Sequence, residues 1–301
     1  MHSRTVDLDG PLHFADFGGS GVPVVLVHGL GGSHLNWLAV APALARGARV
    51  LAPDLAGFGR TPLAGRSAAV GANRALLGRF LDATVGEPAV LVGNSMGGLI
   101  AMTEASLRPD KVAGLVLVGP AQPPPSLAWP DWRVAATFLT YGVPLVGESF
   151  MRWRAALLGP EALVRQTLAL CCVDPSRVPP EVVAAHVALA GERLEGMPWA
   201  TEAFLAAARS VLRTLARRAA FEEMVRAIRV PTLVIQGARD RLVPLATTRT
   251  LHALRPDWSL EVCEDIGHTP QLEDAERCVA ILTEWLALPR PAVLGGATVP
   301  G

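Results

Sequence analysis

The sequence lacks an excess of charge of either sign. Its 27 lysine and arginine residues balance its 27 aspartate and glutamate residues, and no block of like charges occurs along the chain. Proteins that bind nucleic acid or an anionic membrane through bulk charge carry such an excess. We therefore expect no nucleic acid as partner and no binding to an anionic membrane through bulk charge, and we expect that bulk charge does not select the substrate.

Cysteine and long hydrophobic segments are also scarce. The stretch MHSRTVDLDG lacks the apolar segment of a signal peptide, and glycine, asparagine or a charge interrupts every long apolar run. No C-x-x-C pair or histidine-rich tract suggests a metal, and no cofactor is expected. We expect a soluble, cytoplasmic monomer or homodimer without membrane insertion. The cysteines, interpreted as reduced core residues, are Cys171, Cys172, Cys263 and Cys278.

Short β-branched segments alternate with amphipathic ones along most of the chain. Continuous apolar runs of this kind are typical of parallel strands that are covered on both faces. The sequence therefore predicts an α/β fold with a mostly parallel, doubly wound sheet. The predicted strands are residues 22–29, 48–57, 88–95, 112–120, 230–240 and 259–268, and the predicted helices are 67–83, 96–107, 246–254 and 271–287.

The alternation stops between residues 121 and 229, where helical patterns occur without a convincing strand. A helical insert between two strands of a regular sheet is interpreted as a cap. The predicted insert helices are roughly 126–140, 148–158, 160–172, 180–192 and 198–218. The predicted organisation is a core over 1–120, a cap insert over 121–229, the rest of the core over 230–290 and a flexible tail over 291–301.

The pentapeptide G-N-S-M-G at residues 93–97 lies where a predicted strand meets a predicted helix. The glycines lack Cβ atoms, so strand and helix approach closely and Ser95 takes a strained conformation that lifts its hydroxyl off the sheet. Alone, the motif is also compatible with an ordinary strand-to-helix turn. In this context it predicts a nucleophile.

An acid and a histidine follow in the order that a catalytic serine requires. Asp240 comes just after one predicted strand, and His268 comes just after the next. His268 would take the serine proton, and Asp240 would hold the imidazole in the correct tautomer. Asp265 is closer to the histidine in sequence but is expected to be a surface or turn residue. The alternative without a catalytic role is that Asp240 caps a turn and that His268 is an ordinary loop histidine.

The segment VHGLGGSHLNW predicts the second half of an oxyanion hole. A tetrahedral oxyanion needs two backbone donors, one from the residue after the nucleophile and one from a loop after an early strand. Met96 and Leu30 are the candidates. His28 precedes this loop, and we expect its ring to orient the loop rather than act as a base.

Together, the motifs HGLGGS, PDLAGFGRT, GNSMGG, GARDRLVP and GHTPQLE resemble the signatures of the α/β-hydrolase superfamily, from about residue 12 to about residue 288. The resemblance implies the serine branch of that superfamily, since epoxide-hydrolase-like and dehalogenase-like members carry a carboxylate at the position of Ser95. It further implies that Asp54 and Gly57 form a structural turn, and that Pro270 and Glu273 begin a helix beneath the histidine.

The resemblance implies acyl transfer through a serine ester, and we expect a carboxylesterase acting on an apolar substrate. The elbow GNSMGG, including Asn94, also resembles that of the meta-cleavage C–C hydrolases, although Thr269 stands where those enzymes tend to carry an aromatic residue. A different class of function is also open, namely a ligand receptor on the same fold that turns over its ligand slowly.

Side chains of the insert could set substrate choice. Arg209 and Arg213 share a helix face and could meet a substrate carboxylate, although such a face is more often solvated. The aromatic candidates for lining a pocket, most of which we expect to pack the insert, are Trp129, Trp132, Phe138, Tyr141, Phe150, Trp153, Trp199 and Phe204.

Overall fold

The computed structural model describes residues 1–125 and 131–288. One eight-stranded sheet has the order β1-β2-β4-β3-β5-β6-β7-β8. All neighbouring pairs from β4 to β8 are parallel, and β2 is antiparallel to both β1 and β4. The predicted α/β fold is confirmed. The strands are β1 (His2–Asp7), β2 (Pro11–Gly18), β3 (Pro23–Val27), β4 (Arg49–Pro53), β5 (Ala89–Asn94), β6 (Val112–Val118), β7 (Thr232–Gly237) and β8 (Ser259–Cys263).

The central strands are buried on both faces. Every residue of β3, β5 and β7 is buried, which explains why these strands are continuous apolar runs without alternation. One core cluster packs helices α2, α3 and α9 on one face of the sheet, and a second packs α1 and α12 on the other. The α-helices of the described residues are α1 (Ala41–Leu44), α2 (Val70–Phe80), α3 (Met96–Leu107), α4 (Trp132–Gly142), α5 (Val146–Leu157), α6 (Pro160–Cys171), α7 (Pro180–Gly196), α8 (Ala200–Ala216), α9 (Arg218–Ala227), α10 (Leu245–Leu254), α11 (Pro270–Glu273) and α12 (Ala275–Ala287).

Helices α4 to α9 lie between β6 and β7, and we call residues 131–227 the helical insert. The predicted helices occur here, with an additional helix, α9, after the predicted last one. Within the described residues, the first predicted helix begins at Trp132. Residues 126–130, which include Trp129, and the predicted tail at 291–301 lie outside the described residues.

The antiparallel hairpin β1–β2 is absent from the strands that the sequence predicted. Leu8, Asp9 and Gly10 connect the two strands, since Asp7 pairs with Pro11. The φ angles of Asp9 and Gly10 are 55° and 114°, and aspartate and glycine are residue types that turns favour at such angles. Most of β1 is exposed, so no apolar run marks it. The Asp-Gly pair was the available signal.

Candidate active site

The corner between β5 and α3 holds Ser95 in a strained backbone conformation. Its φ is 53° and its ψ is −116°, a region that costs an L residue about 1–3 kcal/mol. A Cβ atom at Gly93 would lie 2.5 Å from the carbonyl oxygen of Gly97, and one at Gly97 would lie 2.2 Å from that of Val27. The close approach of α3 to the sheet therefore depends on the predicted glycines.

Hydrogen bonds fix the backbone of Ser95 on both sides. Its N–H donates to the carbonyl of Val118 at 3.0 Å, and its carbonyl accepts the N–H groups of Leu99 and Ala121 at 3.1 and 3.0 Å. Within the described structure, the Ser95 hydroxyl makes no capping hydrogen bond to the N-terminus of α3. The backbone is thus held in place, and the hydroxyl is not consumed by the helix that follows.

Asp240 and His268 contact each other beyond the carboxyl ends of β7 and β8. His268 Nδ1 lies 2.7 Å from Asp240 Oδ2, and both side chains are buried. An ionised carboxylate only accepts, so Nδ1 carries the proton and Nε2 carries the lone pair. Asp240 Oδ1 accepts the N–H groups of Leu242 and Val243 at 2.8 and 2.9 Å. The contact fixes the histidine tautomer that a general base requires.

Asn94 links the serine corner to the loop that carries His268. Its Nδ2 donates to the carbonyl of Val118 at 2.9 Å and to that of His268 at 3.2 Å. Gly119 packs beside the same histidine, since a Cβ atom there would lie 3.1 Å from His268 Nδ1. The structure therefore brings the predicted Ser95 and the His268 loop into one constellation. An amide that joins two loop backbones leaves no spacing signal, so the sequence did not predict this role.

His28 is buried with both ring nitrogens in hydrogen bonds. Its Nδ1 donates to the carbonyl of Gly29 at 2.8 Å, and its Nε2 accepts the N–H of Leu55 at 3.0 Å. Burial lowers the pKa of His28 to about 4, so the ring is neutral near pH 7. This ring holds the loop after β3, as expected, and has no nitrogen left to act as a base.

The two segments that carry Leu30 and Met96 lie against each other. A Cβ atom at Gly29 would lie 3.2 Å from the Cβ of Ser95, so the loop after β3 directly approaches the serine corner. Met96 begins α3, and the first N–H groups of a helix have no partner within it. This arrangement supports an oxyanion hole made by the N–H groups of Leu30 and Met96, which stays a prediction.

Asp54 is the centre of a buried turn. Its carboxylate accepts from His13 Nδ1 at 2.8 Å, from the ring and backbone of His34 at 3.0 and 2.7 Å, and from the Arg60 N–H at 2.9 Å. Burial would raise the pKa of this carboxyl, but the histidine hydrogen bonds outweigh burial and hold the pKa well below its usual range. His13, His34 and Asp54 have the composition of a metal site. Their ligand atoms are instead engaged with one another and with backbone, which supports the expected structural turn.

A buried carboxylate joins the helical insert to the loop that carries His268. Glu273 Oε2 accepts the N–H of Gly267 at 2.8 Å, and its Oε1 accepts those of Val173 and Asp174 at 2.8 and 2.7 Å. The side chain is only 2% exposed. The expected place of Glu273, in the short helix beneath the histidine, is confirmed, and its contact with the insert is an addition.

The insert also contacts the histidine backbone directly. The carbonyl of Cys171 accepts the N–H of His268 at 2.6 Å, and a Cβ atom at Gly267 would lie 2.4 Å from that carbonyl oxygen. Cys172 Sγ lies 3.4 Å from Thr269 Oγ1, and burial raises the pKa of Cys172 to about 11. Cys172 is a buried thiol, as predicted, whereas a contact made by the Cys171 carbonyl has no side-chain signature.

Two side chains of the insert reach the loop after β3. A Cβ atom at Gly31 would lie 3.1 Å from the ring of Phe204, and Arg193 Nη1 donates to the Gly31 carbonyl at 3.2 Å. Burial lowers the pKa of Arg193, and Asp54 opposes this only at longer range. Within the described part of the chain, no carboxylate forms an ion pair with Arg193. A cation is therefore held next to the predicted oxyanion loop.

Arg209 is engaged within the insert. Its Nη1 lies 2.8 Å from Glu148 Oε1, and its guanidinium also donates to the carbonyls of Tyr141 and Val143. Arg213 is exposed on the same helix. Arg209 thus joins α8 to the hairpin of α4 and α5, and Arg193 is the arginine that approaches the candidate site.

The eight-stranded, mostly parallel sheet and the serine at its strand-to-helix corner define the architecture of an α/β hydrolase. The family model described as alpha/beta hydrolase fold matches residues 22–275. The chain belongs to this family and is an enzyme of the α/β-hydrolase superfamily.

Curated relatives of this chain include an esterase and a hydrolase of 2-hydroxymuconate semialdehyde. The chain is 32% identical over 267 residues to a pimeloyl-[acyl-carrier protein] methyl ester esterase of Aromatoleum aromaticum, covering 87% of this chain and 96% of that protein. It is also 32% identical over 286 residues to a 2-hydroxymuconate semialdehyde hydrolase of a Pseudomonas species, covering 89% and 88%. A thermophilic esterase from Thermogutta terrifontis has a similar structure, with a TM-score of 0.71, 26% identity and coverage of 95% and 98%.

Proposed function

We propose that the protein is a serine hydrolase that cleaves a small, largely apolar carboxylic ester through an acyl-enzyme on Ser95. One observation carries this proposal: a strained serine corner that Asn94 ties to the loop of His268, whose Nδ1 proton is held by Asp240. Backbone strain of this kind concentrates at functional sites, because packing alone gives no reason to keep it. A serine, a histidine and a carboxylate in these roles suit attack on an acyl group.

In the proposed reaction, Ser95 Oγ attacks the ester carbonyl carbon while His268 Nε2 takes the hydroxyl proton. The tetrahedral intermediate collapses to a serine ester, and the imidazolium gives that proton to the departing alkoxide. Water then attacks the serine ester with His268 as the base, which releases the carboxylic acid and restores the Ser95 hydroxyl. Throughout these steps Asp240 stabilises the imidazolium without taking its proton.

The N–H groups of Leu30 and Met96 would receive the oxyanion in both tetrahedral intermediates. Backbone donors that are fixed before reaction need no reorganisation as charge develops. The hydrogen bonds of His28 to Gly29 and Leu55 support this role, since they hold the loop that precedes Leu30. The helical insert would act as a cap, because Phe204 and Arg193 reach this loop from the insert side.

Steady-state hydrolysis of chromogenic esters with two-carbon to sixteen-carbon acyl chains tests the proposal. Wild type should turn over repeatedly, with a maximum at one chain length. Ser95→Ala should abolish turnover and labelling by an organophosphonate, whereas Ser20→Ala, at an exposed serine, should retain both. Full activity in Ser95→Ala would disprove the assignment. Labelled Ser95 without turnover on any ester would disprove the ester substrate alone.

A second candidate function, hydrolysis of a C–C bond next to a ketone, is favoured by Arg193. Its guanidinium is partly buried, lies beside the predicted oxyanion loop and has no carboxylate partner among the described residues. Such a cation suits a substrate carboxylate. The heptadienoate named for a hydrolase of Pseudomonas putida, 32% identical to this chain, carries a carboxylate, and an uncharged ester does not.

The two functions predict different effects of Arg193→Gln on KM. For a C–C hydrolase, the variant should raise KM for 2-hydroxymuconate semialdehyde by about tenfold to hundredfold, the range expected for a lost charge-assisted contact. For an apolar-ester hydrolase, KM for the best ester should change little. Arg213→Gln, at an exposed arginine of α8, is the matched control.

A further inference from the structure

Exposed apolar side chains are concentrated on the hairpin formed by α4 and α5. Of the thirteen large hydrophobic residues that are exposed in the described chain, seven lie within residues 132–157. We call these seven the hairpin face. Its members are Trp132, Leu139, Val143, Leu145, Val146, Trp153 and Leu157, with Leu145 the most exposed at 79%. Exposed apolar residues scattered singly need no explanation, whereas their concentration on two neighbouring helices indicates an interaction site.

The hairpin face borders a groove of about 570 Å³. Phe150 and Trp153 form the aromatic part of its lining, and Leu145 and Val146 form the aliphatic part. The turn between the helices is exposed over residues 143–146. Leu145 has a φ of 67°, a conformation in which this bulky residue projects from the tip of the hairpin rather than continuing a helix.

The charged residues of the hairpin have a basic excess. Residues 131–157 contain Arg133, Arg152 and Arg154 against two carboxylates. One carboxylate, Glu148, pairs with Arg209 of α8, which leaves Asp131 at the N-terminus of α4. The Arg133 guanidinium lies over the ring of Trp132 at 5.4 Å. Tryptophan and leucine beside arginine are typical of helices that lie in a membrane interface.

We propose that the hairpin face docks on the surface of an anionic lipid bilayer. The apolar side chains would enter the boundary between headgroups and acyl chains, and the exposed Arg133 and Arg152 would contact lipid phosphates. Arg154 hydrogen-bonds the buried Tyr141 instead. Charge balance over the whole chain does not oppose the docking, because the arginines are local to the hairpin and the field of a membrane acts within a short distance. A twofold contact with a second copy is less favourable, since it would bring the same basic side chains together.

The hairpin lies on the bilayer in this proposal and does not cross it. Within the described residues, no single helix has the length and apolar composition of a membrane span, whereas α4 and α5 reach them only as a pair bent by 113°. A bent, basic, amphipathic pair fits an interfacial position. Docking on an anionic bilayer departs from the sequence expectation that no anionic membrane is a partner.

The underside of the hairpin continues toward the candidate site. Phe150 lines the groove and packs against Tyr141, with ring centroids 6.0 Å apart. Tyr141 packs against Phe204 at 5.1 Å, and Phe204 lies against Gly31. Leu30 is packed against the same apolar cluster. Docking at the hairpin face would thus act on the predicted oxyanion loop through packed side chains, an effect that rests on the proposed function.

Vesicle binding tests the docking without requiring turnover. Full-length Ser95→Ala would be sedimented with large unilamellar vesicles of phosphatidylcholine alone or with 30% phosphatidylglycerol, a composition chosen to supply anionic headgroups. Binding should occur to the anionic vesicles and weaken in 0.5 M NaCl. Leu145→Asp should lower the partition coefficient about tenfold. The matched control is Leu107→Asp, at a leucine that is 61% exposed outside the insert, and it should bind like the parent protein.

Four results would overturn the docking proposal. These are no binding to anionic vesicles, equal binding to both vesicle types at high and low salt, equal losses in the two leucine variants, and a dimer in sedimentation equilibrium that Leu145→Asp dissociates. Circular dichroism establishes that each variant is folded. The vesicle assay uses Ser95→Ala, which is expected to lack turnover. A failure of wild type to hydrolyse esters therefore leaves the docking result unaffected.

Discussion

The two halves of the helical insert differ in what they contact. The half formed by α6 and α7 is tied to the sheet domain, through Cys171 and Glu273 at the histidine loop and through Arg193 at the loop after β3. The half formed by α4 and α5 rests mainly on α8 of the same insert, through Tyr141 and Arg209. One half therefore helps to position the predicted catalytic groups, and the other is free to meet something outside the molecule.

Acidification should destabilise the α6–α7 half, and this is the largest effect expected from that half. His186 of α7 hydrogen-bonds the backbone at Leu35, and burial lowers its pKa to about 4. An unfolded histidine titrates near 6.5, so this group contributes stability that is complete above pH 6.5 and is lost as the pH falls through about 4. The shift corresponds to a loss of up to about 3 kcal/mol.

The measurement for that prediction is the free energy of urea unfolding between pH 7.5 and pH 4. His186→Gln should flatten the pH dependence, while His2→Gln, at an exposed histidine, should not. His28, whose pKa burial also lowers to about 4, remains in both variants and contributes the residual slope. Equal slopes for wild type and His186→Gln would contradict the prediction.

Glu273→Gln should separate catalysis from substrate binding. The amide has one acceptor oxygen where the carboxylate has two, so either Gly267 or the pair Val173 and Asp174 loses its partner. A displaced His268 should lower kcat by about a hundredfold, since small misplacements of a catalytic group cost that much.

KM in Glu273→Gln should change little, and the acidic limb of the kcat/KM pH profile should move, because the environment of the histidine changes. Glu264→Gln, at an exposed glutamate nearby, is the matched control. A variant that unfolds at lower urea concentration but retains wild-type kcat and pH profile would reduce Glu273 to a purely structural contact.

Arg209→Gln should loosen the α4–α5 half and leave the chemistry intact. The variant removes an ion pair to Glu148 and hydrogen bonds to the carbonyls of Tyr141 and Val143. Hydrogen bonds from a charged group contribute about 1.5–3 kcal/mol, and partial exposure places this site near the lower end. Limited proteolysis should cleave the hairpin faster, with kcat for a short ester unchanged. Arg213→Gln, at an exposed arginine of the same helix, is the matched control. Equal rates of hairpin cleavage in Arg209→Gln and Arg213→Gln would refute the prediction.

The smallest effect is expected at the surface pair that joins α7 to the sheet domain. Arg60 Nη2 lies 2.8 Å from Glu192 Oε1, and both side chains are nearly half exposed. Exposed pairs contribute about 0–1 kcal/mol. Arg60→Gln should therefore change the free energy of unfolding by less than about 1 kcal/mol in a urea titration, an effect that salt reduces. A larger loss would mean that this pair, too, anchors the α6–α7 half.

The sequence predicted those parts of the molecule that local patterns encode. Continuous apolar runs marked β3 to β7 because both faces of those strands are buried, and glycine spacing marked the corner at Ser95. The hairpin strand β1 was missed because its side chains are mostly exposed. Asp240 and His268 were assigned from their order after strands, and the structure brings these two side chains into contact.

Long-range contacts explain what the sequence did not predict. Cys171 acts through its carbonyl, and Glu273 through three backbone N–H groups that lie up to 100 residues away, so neither contact depends on a neighbouring residue type. Arg193 and Arg209 look alike in sequence, and only the position of Glu148 distinguishes the paired arginine from the one beside the site.

The hydrogen bond from His268 N–H to the Cys171 carbonyl also limits how this enzyme can be recombined. An insert between β6 and β7 can be exchanged between relatives, with the aim of transferring the substrate range of one enzyme to the core of another. Here residues 171–174 belong with the histidine loop, although they lie within the insert. A chimera that takes only α4 and α5 from a donor keeps that junction. One that replaces the whole insert must restore a carbonyl and two N–H groups at the same place, or its histidine loses support.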